Sequence, residues 1–280
     1  MKFMNALIIL FLAANLVYSQ SPVIKVQNAF QGNSQKPQPA TFTFTKSIGG
    51  AESFLIDAGL GLNFDINSTT SFSAFGEYHR NSLVSKIQNT LLAGFALETL
   101  INHDYPKHDL NFAANYNNNL IDKTEAVQLT GEYTILFYDE SKLNTFYPNV
   151  VCHIGNVLKL EYYPSIGFEC ESRFQCKNDS AKGNIIRALG KCKLVLYPDS
   201  SFINLKLEYF CNFEYRYDAV NSTQYSDFSH AYLQTGINYT IWKGEDKASV
   251  KISGSYSKGS NPLISLKEQE FYTISLLVQI

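Results

Sequence analysis

The chain of 280 residues contains no run of 18 or more apolar residues. No segment is therefore long enough to cross a bilayer as a helix, which takes about 20. Cysteine is sparse: five residues, Cys152, Cys170, Cys176, Cys192 and Cys211, with no C-x-x-C among them. The missing spacing argues against zinc and thioredoxin-type chemistry, and the odd number leaves at least one thiol outside any pairing within the chain. Methionine and tryptophan occur only twice and once. Charged residues make up 17% of the chain, below the roughly 25% of soluble domains. The net charge of −2 provides no global field for nucleic acid. There is no Gly-rich phosphate loop, no metal-ligand cluster and no basic recognition helix, so neither a cofactor nor a metal is expected.

Aromatic residues are abundant instead, at 20 Phe and 18 Tyr. The N-terminus has the layout of a secretory signal. Lys2 supplies a positive n-region, Ala6 to Val17 an apolar core, and Val17-Tyr18-Ser19 a peptidase site, with cleavage expected before Gln20. Residues 1–19 are read as a cleaved signal peptide. Residues 20–40, polar and holding Pro22, Pro37 and Pro39, are read as a flexible lead-in. Residues 41–280 form the folded domain.

From Thr41 onward hydrophobicity alternates with period two, the signature of strands. The clearest case is Ser53–Ile66, with Phe54, Ile56, Ala58, Leu60, Leu62, Phe64 and Ile66 on one face and Asp57, Gly59, Gly61, Asn63 and Asp65 on the other. Ile87–Leu97, Val127–Phe137, Ile186–Leu196, Ile203–Tyr217, Ala231–Ile241 and Tyr272–Ile280 repeat the pattern. Weaker alternation marks Thr41–Lys46, Ser71–Arg80, Lys107–Asn117, Val157–Ser172 and Lys247–Ser257. Twelve strands are thus predicted. Tyr138–Asn156 fits no template and has room for another pair.

A soluble all-β protein also alternates, with one face in its core. Three features favour a membrane barrel. Several runs exceed the usual five or six residues of soluble strands and match a tilted strand crossing the hydrocarbon layer. On the seven best strands no apolar-face position is Asp, Glu, Lys or Arg; a lipid-facing Lys or Arg at midplane costs roughly 2–4 kcal/mol. Short turns (Asn67–Thr69, Pro198–Ser200, Lys243–Glu245) also alternate with longer polar connections (Gln175–Gly183, Asp218–Phe228, Lys258–Glu268), although Leu100–Pro106 and Tyr138–Asn156 break that rhythm. Aromatics near strand ends, such as Phe64, Phe72, Tyr239 and Trp242, fit interfacial girdles and equally the β-propensity of such residues.

On these residues the chain resembles the bacterial outer-membrane β-barrel class, specifically medium porins and porin-like channels. The closing segment Tyr272-x-Ile274-x-Leu276-x-Val278-x-Ile280 is similar to that class's terminal assembly signal, though it ends in Ile rather than an aromatic. The resemblance implies an all-β, antiparallel up-and-down transmembrane barrel of about twelve strands in a bacterial outer membrane. It implies outer-membrane lipid and the barrel-assembly machinery as partners, with small polar solutes or ions as cargo.

If the apolar face meets lipid, the other face lines a lumen. The early strands contribute Asp57, Asp65, Glu77, Glu98, Glu132, Glu161, Glu169 and Glu171, opposed only by Lys159. The later strands contribute Arg187, Lys191, Lys193, Lys206, Arg216 and Lys251, with Glu208 and Glu214 among them. One reading sets an acidic wall against a basic wall across a water-filled pore, a transverse field that orients solutes and sets ion preference. The other joins Glu169 or Glu161 to Arg187 or Lys191 on adjacent strands and fills the narrow interior.

Enzymatic barrels make a different demand. Outer-membrane phospholipases, similar in size and strand number, place His and Ser two apart on one strand face. None of His79, His103, His108, His153 and His230 has Ser two residues later, and Ser82, three from His79, points to the opposite face. His103-Asp104 and His108-Asp109 are similar to pairs in outer-membrane proteases but fall near a predicted turn. No enzymatic activity is expected. The sequons at Asn67, Asn178, Asn221 and Asn238 admit a further reading, a secreted soluble β-sandwich that binds a partner. The sequence therefore points first to a passive diffusion channel. The alternatives are a closed outer-membrane barrel with a structural or surface-interaction role, and the soluble sandwich.

Overall fold

The computed structural model describes residues 22–27, 30, 40–46, 52–82, 87–101, 106–137, 146–198, 206–224, 227–244, 249–261 and 267–279. The expected signal peptide, most of the lead-in and the terminal Ile280 lie outside them. In chain order the strands are β1 (Val23–Gln27), β2 (Ala40–Lys46), β3 (Glu52–Asp65), β4 (Thr70–Asn81), β5 (Gln88–Ile101), β6 (Lys107–Asn119), β7 (Thr124–Leu136), β8 (Cys152–Ile154), β9 (Leu158–Gln175), β10 (Gly183–Pro198), β11 (Leu207–Asn221), β12 (Ser229–Lys243), β13 (Ser249–Asn261) and β14 (Lys267–Gln279). Each of the twelve predicted strands corresponds to one of these. The additions are β1, from the expected lead-in, and β8, from the unassigned connection.

The strands pair antiparallel with their neighbours from β3 through β14, with β9 taking the place beside β7. β14 then pairs with β2, and β2 with β3, so twelve strands close into a ring. Closure leaves the ring no open edge and replaces the sandwich alternative. A sandwich would also bury its apolar face, and here burial is inverted. Tyr272 (78% exposed), Ile274 (74%) and Ile166 (65%) face outward, whereas Asp109 (1%) and Glu132 (4%) are buried inside. Water drives apolar side chains inward; this arrangement is stable where the outer medium is hydrocarbon. Strands of 13 to 18 residues, such as β6, β10 and β9, span well beyond that layer even when tilted.

Two places depart from simple up-and-down order. First, β1 and β2 share one position in the wall. Gln27 pairs with Gly59 and Thr41 with Asp57, so β2 resumes on β3 where β1 stops. Period-two reading missed β1 because five residues carry too little alternation. Second, the β7–β9 ladder stops at Tyr133–Ile166. Beyond it Asn149 joins the two sides: its backbone N–H donates to Tyr162 O (2.8 Å) and its Nδ2 to Ile135 O (2.7 Å). Asn149 adopts a left-handed backbone (φ 62°), a conformation Asn tolerates better than most residues. β8 then pairs with β9 through Cys152–Leu160 to Ile154–Leu158.

The expected contrast of short and long connections is not found. The longest, 137–157, lies at the end where β14 finishes, among those expected to be short. At the opposite end β11 and β13 continue to Asn221 and Asn261, consuming residues read as loop. Asp218 is one of these; it belongs to a strand because its carboxylate is held inside the barrel.

Three sequons are turn chemistry. Asn67 Oδ1 accepts from Thr69 N–H (2.9 Å), Asn178 caps the 3-10 turn Asp179–Ala181, and Asn221 Oδ1 accepts from Thr223 N–H (2.9 Å). Asn238 is buried inside and donates to Glu208 (3.1 Å). All five cysteines are free thiols.

Candidate functional site: the barrel interior

Alternation sends Arg187, Leu189, Lys191, Lys193 and Val195 of β10 to the interior side, and Glu161, Glu169 and Glu171 of β9 likewise. The antiparallel register sets Arg187 opposite Glu169 and, across a bulge, opposite Asp218. Arg187 Nη1 donates to Glu171 (2.6 Å), its Nε to Asp218 (2.8 Å), and its Nη1 lies 3.7 Å from Glu169. Arg216 Nε donates to Glu169 (2.9 Å) and its Nη1 to Glu214 (2.7 Å). Arg173 Nε donates to Glu171 (2.6 Å), and His230 Nε2 lies 3.6 Å from Asp218. Lys191 reaches past β9 to hydrogen-bond Glu132 on β7. The strand between them carries Gly167 opposite Glu132, where a Cβ would come within 2.2 Å of Gly131 O. Fork-shaped guanidinium groups suit such shared carboxylates.

The basic side is therefore neutralised locally by carboxylates on β7, β9 and β11. Of the second electrostatic reading, Arg187 beside Glu169 is present, but Lys191 pairs with Glu132 two strands away; Asp218, Glu214 and Arg173 are partners that sequence reasoning did not place there. Lys251 Nζ donates to Glu208 (3.1 Å), and Lys193 is near enough to act on the same carboxylate. Glu161 accepts from the hydroxyls of Tyr163 and Tyr197. Lys206 precedes β11 and is exposed, as is Asp65 at the end of β3, which accepts from Asn63 Nδ2 (3.2 Å).

The side formed by β3 to β7 differs. His79, fully buried, lies between Asp57 (Nδ1 to Oδ1, 3.1 Å) and Glu77 (Nε2 to Oε2, 3.0 Å). The other Glu77 oxygen accepts the backbone N–H of Phe30 at 2.6 Å. Asp109 is buried with neither carboxylate oxygen hydrogen-bonded to protein, and Glu98 and Glu132 lie close enough to act on it. Thr90, Asn115 and Thr130 on the same side also hold buried polar atoms without a protein partner. Such atoms require water or a polar solute. His108 and Asp109 lie at the start of β6, as the predicted strand Lys107–Asn117 places them, and point apart: His108 stacks on Tyr133 at a ring separation of 5.8 Å, outside, and Asp109 points in. His103 and Asp104 lie outside the described residues. Ser82 Oγ accepts from Phe54 N–H (2.8 Å).

A closed antiparallel ring, an apolar exterior whose charges (Arg80, Lys258 and Glu270) sit near strand ends, and an interior rich in carboxylates, guanidinium groups and amides define the class: a transmembrane β-barrel. No family model matches the chain, and no curated protein does. Among solved structures it is similar to Pseudomonas aeruginosa OccK3 (OpdO), with 10% identity over 88% of this chain and 60% of that one and a TM-score of 0.35. It is similar to Pseudomonas aeruginosa OpdQ at 11% identity over 92% and 64%, TM-score 0.36. For Acinetobacter baumannii OccAB3 the figures are 12%, 92%, 62% and 0.36. The chain spans about three-fifths of the length of these structures.

Proposed function

We propose that the chain is exported by its N-terminal signal, inserted by the barrel-assembly machinery, and acts in a bacterial outer membrane as a channel for passive diffusion of small polar solutes or ions. The observation that carries this is the pairing of ring closure with inverted burial. An apolar interior would suffice for a barrel that only anchors loops. Here ionised, amide and hydroxyl groups are buried in the interior beside apolar ones such as Leu92, Leu189 and Phe210, and Asp109, Asn115 and Asn212 keep polar atoms that only water or solute can satisfy. The proposed lumen lining comprises Asp57, Glu77, Glu98, Asp109, Glu132, Glu161 and Glu169, with Arg187, Lys191, Lys193, Arg216 and Lys251; Asp65 and Lys206 lie at one rim, the end where β14 finishes. No catalytic role is proposed for any of them.

One observation favours a second reading, a closed barrel with a structural or surface-interaction role. Glu77, His79, Asp109, Arg187 and Arg216 are each no more than 4% exposed, so the lumen is tight at these levels. The two readings separate in a planar bilayer. The channel predicts discrete conductance steps from purified, folded protein. A silent bilayer containing protein with heat-modifiable gel mobility leaves the closed barrel.

A further inference from the structure

Among the described residues, buried apolar side chains of this interior cluster in a niche at Phe30, Phe75, Ala96 and Ala113. Phe30 comes from the stretch between β1 and β2, and its ring lies inside the barrel against the wall. It stacks on Phe75 at a centroid distance of 5.4 Å with the planes 10° apart. Two glycines of β3 make the room: a Cβ at Gly61 would approach the Phe30 ring to 2.3 Å, and one at Gly59 to 3.0 Å. Next to the ring, the Phe30 N–H is held at 2.6 Å by Glu77 Oε1. That carboxylate is itself fixed, because its second oxygen engages His79, which Asp57 holds from the other side.

We infer that this niche is a binding site for an aromatic amine, with Phe30 occupying it as a tethered substitute. The proposal deepens the channel reading by naming a class of solute. The recognised atoms are a nitrogen donor, two saturated carbons and a phenyl ring, the skeleton of 2-phenylethylamine. The Phe30 amide N–H already makes a charge-assisted hydrogen bond to the Glu77 carboxylate; a free ammonium group would add a full ion pair at the same place. The ring would take the flat slot over Gly59 and Gly61 against Phe75. Two carboxylates around a single imidazole suit a cation better than a neutral or anionic solute.

The test is binding of 2-phenylethylamine to full-length protein folded in detergent, read by calorimetry and by the thermal midpoint of heat-modifiable gel mobility. Phe30→Ala vacates the slot and should bind the amine at least tenfold more tightly than wild type, which binds only by displacing its own ring. Adding Glu77→Gln to Phe30→Ala should weaken binding at least tenfold. Ethylbenzene, with the ring alone, and butylamine, with the amine alone, should each bind at least tenfold more weakly than 2-phenylethylamine. An emptied apolar cavity takes up any small aromatic, so equal binding of ethylbenzene overturns the proposal. So does indifference to Glu77→Gln, and so does the lack of saturable binding to wild type. If Phe30→Ala does not fold alone, refolding in 2-phenylethylamine but not in ethylbenzene supports the site, and failure in both overturns it. None of these readouts needs ion flow. A silent bilayer therefore removes the channel and leaves the site standing, while failed binding removes the site and leaves the channel.

Discussion

Lys191 and Glu132 show how much a single pair inside the barrel matters. Glu132 is buried and its cationic partner comes from two strands away. Lys191→Ala leaves that carboxylate uncompensated, which typically costs about 3–5 kcal/mol. Replacing both by apolar residues, Glu132→Leu with Lys191→Met, should cost clearly less, since no lone charge remains. Urea unfolding from lipid vesicles measures the difference. Gly167 should be as intolerant for steric reasons: the nearest atom to an added Cβ is a backbone carbonyl, which cannot swing away, so Gly167→Ala should cost about 1–3 kcal/mol in the same assay. Legibility at this scale is uneven. The interior positions of Arg187, Lys191, Glu132 and Glu169 follow from alternation because apolar residues flank each of them on the strand. Asp218 does not, since alternation fades after Tyr217 and its neighbours read as loop. Phe30 leaves no periodic trace at all, because it sits between two short pieces of strand.

At the scale of the strand, outward-facing positions were the most legible part of the molecule. β14 is an example: Tyr272, Ile274 and Leu276 point out, while Thr273 and Ser275 are buried within. Ile274→Arg should destabilise the barrel by roughly 2–4 kcal/mol, as for a cation placed near the hydrocarbon midplane. Reversible unfolding from phosphatidylcholine vesicles reads this, and an unchanged midpoint would remove lipid contact from that face. The ends of strands were harder to see than their middles. Connections were overestimated wherever a strand continues on polar residues, as β13 does through Lys258 to Asn261. β8 was unreadable for a different reason: three residues held to β9 by a hairpin carry no pattern. The bridge at Asn149 depends on one left-handed residue and one side-chain amide, and neither leaves a signature in hydropathy.

For the whole molecule the testable quantity is ion preference. Arg187, Arg216 and Lys191 are each paired with carboxylates, while Asp109 has no hydrogen-bonded protein partner. A conducting barrel of this kind should favour cations. Lys193→Glu should strengthen that preference, read as a shift in reversal potential across a salt gradient. The ring itself was predictable from twelve alternating runs, but the place where it joins was not. Among the described residues β2 meets β14 through three residue pairs, Ala40–Val278, Thr41–Leu277 and Phe42–Leu276, whereas β13 and β14 share thirteen. A hoop is as strong as its clasp. With so few rungs at that junction, amide hydrogens of β2 and the outer edge of β14 should exchange with deuterium sooner than those of the other neighbouring pairs within the twelve-strand ring, and the cylinder should begin to unroll there.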